Sequence, residues 1–137
     1  MNIRNKPLSQ YDLMHFINKF NIKHFQGVYM RDGLPKPKRG CGIMNLDLES
    51  GNGTHWTCWF WKNRDTCYYF DSFGLAPPTE FYKYASKGTD VLHNTYKIQR
   101  LNDVICGHLC ILVLYLLDRG IPFHEIILFL YKNRDEC

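Results

Sequence analysis

The sequence predicts an α+β domain: a central, mostly antiparallel sheet packed against one buried helix with a cysteine at its N-terminus. Three observations carry this. Residues 105–117 are almost continuously apolar, so a helix there has no face to give to solvent. In residues 54–61, Trp56, Cys58 and Phe60 alternate with His55, Thr57, Trp59 and Trp61, which leaves both faces largely apolar, as in a central strand covered on two sides. The elements come in the order helix, strands, hairpin, strand, buried helix, helix, which is that of an α+β domain. At 137 residues, with no internal repeat and no long linker, the chain is expected to form one domain over 1–137 with a sizeable core.

Taken in order, Ser9-Gln10-Tyr11-Asp12 has capping-box character, with Asp in place of the usual Glu. Leu13, Phe16, Ile17 and Phe20 follow at helical spacing, so residues 9–20 read as an amphipathic helix. Residues 25–30 and 41–46 are short apolar runs separated by a Pro/Gly/Lys loop and read as strands. Ser50-Gly51-Asn52-Gly53 is a turn by composition. The aromatic strand 54–61 comes next, then a hairpin turn at Lys62-Asn63-Arg64-Asp65 and a returning strand over 66–70. Pro77-Pro78 starts a short helix that reaches about Ser86, and Gly88 breaks it. Residues 94–99 look like one more edge strand. The helix that starts at Cys106 has Asn102 and Asp103 ahead of it as possible caps, and Gly120 stops it. After Ile121-Pro122, Phe123, Ile126, Ile127 and Leu130 make the apolar stripe of a last helix.

Four residues fall where strand ends and helix starts bring side chains together. His55 opens the central strand, and Asp71 closes its antiparallel partner, so the hairpin returns both to one edge of the sheet. Gln99 ends the next expected strand, seven residues before Cys106. A cysteine at a helix N-terminus sits among free N–H groups at the positive end of the dipole, which favours thiolate. A thiol nucleophile needs an imidazole to take its proton, a carboxylate to fix the imidazole tautomer, and preorganised donors for the developing oxyanion. Those roles fall to Cys106, His55, Asp71, and the Gln99 amide with the Cys106 backbone N–H. Gly107, directly after the thiol, is expected to leave room for a substrate backbone. Singly, each residue also has an ordinary reading: a packed core thiol, a hydrogen-bonded histidine, a solvated glutamine.

Gly53-Thr54-His55-Trp56, the aromatic strand with Trp61, Thr66-Cys67-Tyr68-Tyr69-Phe70-Asp71-Ser72-Phe73-Gly74, and Gln99 ahead of Cys106-Gly107 together resemble the adenovirus-type cysteine endopeptidases, the adenain family. Upstream, Gln26-Gly27-Val28-Tyr29 and Gly42-Ile43-Met44-Asn45 resemble the family's early strands, so the likeness covers roughly residues 9 to 117. Relatives occur in large virus-like DNA transposons, and the SUMO and ubiquitin-like proteases belong to the same clan. The resemblance implies an adenain/SUMO-protease-like fold with His55, Asp71 and Cys106 as the triad and Gln99 in the oxyanion hole. Trp56 matches the tryptophan after the clan's histidine and, with Gly107, implies a narrow substrate groove and glycine-containing cleavage sites. The implied activity is a thiol endopeptidase that processes viral or transposon precursor or capsid proteins. Removal of a ubiquitin-like modifier, and a catalytically silent module that binds nucleic acid or capsid, are the alternatives. Asp71 stands where adenoviral enzymes usually have Glu, as is usual in SUMO proteases. Residues 72–98 hold no cysteine, so the adenoviral covalent peptide cofactor is not expected here, although activation by a peptide or by DNA stays open.

The charge is unevenly placed. Residues 1–40 carry eight Lys/Arg against two Asp, and the remainder nine against eleven Asp/Glu. Lys36, Lys38 and Arg39 lie in a Pro/Gly loop that is either a solvated connection or a contact for phosphate backbones, and the resemblance implies DNA as the partner. Six cysteines without an apolar leader read as free thiols in a reducing compartment, so the protein is expected inside the cell rather than secreted, and the resemblance implies the host nucleus or a virion. Cys58 and Cys67, on the two hairpin strands, could face each other as packed thiols. Cys106 and Cys110 share a helix face with no second ligand pair at metal spacing, so no metal is expected, and no segment is long enough to span a bilayer.

Overall fold

The computed structural model describes residues 7–51, 55–99 and 104–135. In chain order the elements are α1 (Gln10–Lys19), β1 (Phe25–Met30), β2 (Cys41–Asn45), β3 (Trp56–Trp61), β4 (Thr66–Phe70), α2 (Thr79–Ala85), β5 (Asp90–His93), α3 (Cys106–Asp118) and α4 (Phe123–Lys132). The five strands form one sheet in the order β1-β2-β3-β4-β5. β3 pairs antiparallel with β2 and β4, while β1 and β5 are added in parallel at the edges, so β3 alone among these strands runs against the rest.

The sheet is covered on both faces. On one face Ile43, Cys58 and Phe70 meet Leu13 and Ile17 of α1, Leu109, Val113 and Leu114 of α3, and Ile126 and Leu130 of α4. On the other face Met44, Trp59, Trp61, Cys67 and Tyr69 meet Phe81, Tyr84 and Ala85 of α2. This is the double covering that the aromatic alternation of β3 predicts. It also separates two thiols: Cys58 pairs across the ladder with Phe70 and Cys67 with Trp61, so Cys58 and Cys67 lie on opposite faces and cannot meet, contrary to the expectation from sequence.

The helix ends follow their local chemistry. The Ser9 hydroxyl accepts the Asp12 N–H and the Asp12 carboxylate accepts the Ser9 N–H, so the capping box closes at both bonds. α3 stops in a Schellman turn: Gly120, at φ +89°, donates to the Leu117 carbonyl and Ile121 to that of Leu116. At its start the cap position is Ile105, with no side-chain cap bond; Asn102 and Asp103 lie outside the described residues, as do Asn52 and Gly53 of the expected turn. No helix among the described residues is long and apolar enough to cross a membrane.

One expected strand is misplaced. The edge strand is Asp90–His93, paired in parallel with β4, and residues 94–99 form no ladder. The backbone there has other partners: the Ile98 and Gln99 N–H groups both donate to the Ser72 carbonyl, at 2.8 and 2.9 Å. The Asn94 side chain is bonded to the Asp71 backbone.

Candidate active site

The antiparallel ladder aligns Cys58 with Phe70, and one continuation of the same register sets His55 opposite Phe73. The His55 ring accordingly stacks on Phe73, with centroids 4.4 Å apart and planes at 19°. His55 Nε2 lies 2.8 Å from Asp71 Oδ1, in a bond where only 1% of Asp71 is exposed. The same carboxylate oxygen accepts the Phe73 N–H at 2.8 Å. Asn94 clamps the Asp71 backbone, accepting its N–H at 3.1 Å and donating to its carbonyl at 2.7 Å. The acid is therefore fixed on both sides before it orients the imidazole.

With Nε2 committed to Asp71, the other ring nitrogen, Nδ1, is left for Cys106, with which His55 is hydrogen-bonded. Cys106 is the first residue of α3, where N–H groups have no partner within the helix. Burial on its own raises the Cys106 thiol pKa. The His55 hydrogen bond and charge, with the Trp56 and Gly107 backbone, outweigh it and bring the thiol below its ordinary 9.0. Burial likewise lowers His55, but its bonds to Asp71 and Cys106 raise it from 6.5 to about 9. The two shifts run in the direction that favours a thiolate beside an imidazolium.

Gln99 is buried and reaches this cluster through Ser72, whose hydroxyl donates to the Gln99 side-chain carbonyl. That leaves the amide NH2 as the end able to donate. Trp56 is half-buried, and its indole N–H donates to the Leu8 carbonyl at 2.9 Å. The space that a Cβ on Gly107 would need is bounded by Leu8, Trp56 and Leu13, at 3.2 to 3.3 Å. Glycine here lets α3 pack closely against the α1 segment and β3. Cys110, one turn on, is fully buried, and its Sγ donates to the Trp56 carbonyl at 3.5 Å.

Lys36, Lys38 and Arg39 are not brought to this cluster. Lys38 and Arg39 share a depression of about 440 Å³ with Trp61, Asn63 and Arg64, at the hairpin end of β3, while His55 lies at the other end of that strand. Lys36 lines a second groove of about 360 Å³ with His24 and Gln26, and Gln26 donates to the Arg39 carbonyl at 2.9 Å. Sequence reasoning missed Ser72, Phe73 and Asn94. The first two stand in the motif after Asp71, but nothing in spacing reveals that they serve its neighbours.

No protein-family model matches the chain, and no curated protein matches it in sequence. Solved structures do match, and they share this chain's mixed α+β fold. One is the ASFV pS273R protease, with a TM-score of 0.68 at 16% identity over 96% of this chain and 67% of that one. A selenomethionine crystal structure of the same protease matches with a TM-score of 0.51 at 18% identity, over 69% of this chain and 43% of that one. The chain thus spans between 43% and 67% of that protease's crystallised length, and at these identities the likeness is one of fold.

Proposed function

We propose that this chain is a cysteine protease with Cys106 as nucleophile, His55 as general base and acid, and Asp71 as the residue that orients His55. The observation that carries the reading is the bonding of one imidazole to a buried carboxylate through Nε2 and to the thiol at the start of α3. The likeness in fold to the ASFV pS273R protease supports it. In the reaction, Cys106 Sγ attacks the scissile carbonyl carbon while its proton rests on His55. The oxyanion that forms is met by the Gln99 amide and the Cys106 N–H. The C–N bond then breaks, the amine leaves with the His55 proton, and a thioester remains. Water, deprotonated by His55, attacks the thioester, and the acid product leaves Cys106 free.

Glycine-containing sites in viral precursor or capsid proteins are the proposed substrates, on the family resemblance. The decisive measurement is cleavage of a glycine-rich peptide library by the wild type and by Cys106→Ala, with thiol labelling alongside. Cleavage by the wild type alone, and selective labelling of Cys106 that His55→Ala suppresses, are expected. No cleavage and no preferential labelling would identify a silent binding module. Cleavage confined to a SUMO fusion would move the substrate to ubiquitin-like conjugates.

A further inference from the structure

We propose that Ser72 is a positioning residue for the oxyanion donor: its hydroxyl holds the Gln99 side chain so that the amide NH2, and not the carbonyl, is offered to the substrate. This role rests on the protease reading. A glutamine amide has two ends of nearly equal shape and opposite function, and a half-turn of the amide replaces a donor with an acceptor. An acceptor facing a developing oxyanion opposes the reaction. In this structure the Ser72 hydroxyl, fully buried, donates to Oε1 of Gln99, which is 2% exposed, so the bond holds the side chain away from solvent with its NH2 turned away from Ser72.

The backbone repeats the attachment. The Ser72 carbonyl accepts the Gln99 N–H at 2.9 Å and the Ile98 N–H at 2.8 Å, in a stretch that has no ladder to hold it. Ser72 also follows Asp71 directly. One turn after β4 therefore carries the carboxylate that aims the imidazole and the hydroxyl that aims the amide, and the Asn94 clamp on Asp71 steadies both.

Two probes separate this role from mere stability. A peptide glycinal adds the Cys106 sulfur to its aldehyde carbon and places an oxygen in the oxyanion site. Iodoacetamide forms a C–S bond with loss of iodide and builds no such oxygen. Loss of a whole oxyanion donor costs about a hundredfold or more in kcat, so misorientation of one, in Ser72→Ala, is expected to cost about tenfold in kcat and in glycinal affinity. KM, the iodoacetamide rate and the alkaline limb of the pH profile are expected to stay within about twofold, because the His55–Asp71 pair is untouched. In a Gln99→Ala background the same substitution is expected to add nothing. Ser72→Cys, of similar volume and a poor donor, serves as the second variant if Ser72→Ala does not fold. Unchanged kcat and glycinal affinity, or an equal further loss in the Gln99→Ala background, overturn the assignment. Absence of selective Cys106 alkylation in the wild type overturns the protease reading and this assignment with it, whereas selective alkylation with unaltered glycinal affinity in the variant overturns this assignment alone.

Discussion

Burial alone lowers the imidazole pKa of His55, and it takes bonds to both Asp71 and Cys106 to raise it from 6.5 to about 9 while the Cys106 thiol falls below 9.0. The pH consequences have definite signs. Cleavage should fall as pH rises through about 9, where the leaving amine loses its proton donor, and fall again on the acid side as the thiolate is protonated. Alkylation by iodoacetamide needs only the thiolate, so it should show the acid limb without the alkaline one. Asp71→Asn removes a partner that raises His55, and its alkaline limb should move below about 9; a limb that stays in place would detach Asp71 from the histidine. Stability follows the same linkage. The part due to the His55 imidazolium is complete below its unfolded pKa, about 6.5, and is lost as pH climbs toward about 9.

Among the elements, β2 and β3 are fitted at one close point, where Gly42 stands directly across from Trp59. A Cβ on Gly42 would overlap the six-membered ring of that indole, which is fully buried against Phe81 and Tyr84. Gly42→Ala should therefore destabilise by about 2 kcal/mol, the range of overpacked cores, read as a lower urea midpoint. Trp59→Phe in that background should recover part of it, since the two changes share one space. Elements of this kind differ in how far the sequence discloses them. The α1 capping box, the apolar run of α3 and the hairpin of β3 and β4 depend on near neighbours, and each stands where its residues indicate. β5 does not: Asp90, Val91, Leu92 and His93 form a strand because β4 offers a parallel ladder, a distant condition that no local pattern encodes. Residues 94–99, with Tyr96 and Ile98 in strand-like alternation, give N–H groups to Ser72 instead. The site divides in the same way. His55 and Asp71 are legible because one hairpin carries both, whereas Ser72, Phe73 and Asn94 act through contacts that only the folded chain makes.

At the scale of the whole molecule, β3 separates two ends of different character. His55, Asp71 and Cys106 gather at its start, and Lys38, Arg39 and Arg64 at its finish, about 20 Å away at the usual rise of a six-residue strand. Any nucleic acid held by the basic loop would therefore act by keeping the protein near its substrates and would leave the reacting groups untouched. On the proposal that the loop contacts DNA, replacing Lys36, Lys38 and Arg39 by alanine should weaken binding and flatten its salt dependence, by about 0.9 in the log–log slope for each duplex phosphate left unneutralised. An unchanged slope across a salt series would leave the loop a solvated connection.

The segregation of the thiols gives the site a particular exposure to oxidants. Cys41, Cys58, Cys67 and Cys110 are sealed in the two layers of the core, and burial pushes the Cys41, Cys67 and Cys110 thiols up. Cys106 is the one among the described cysteines with a depressed pKa, and Cys110, its neighbour along α3, turns toward the Trp56 carbonyl. Among the described cysteines, dilute peroxide should then oxidise Cys106 alone, giving a sulfenic acid that a small thiol can cap and a reductant can restore. In the native protein Cys106→Ala should remove one rapidly titrating thiol, and the four core thiols should answer only once denaturant opens the sheet. The same packing that isolates the nucleophile would make catalysis switchable by the redox state of its surroundings.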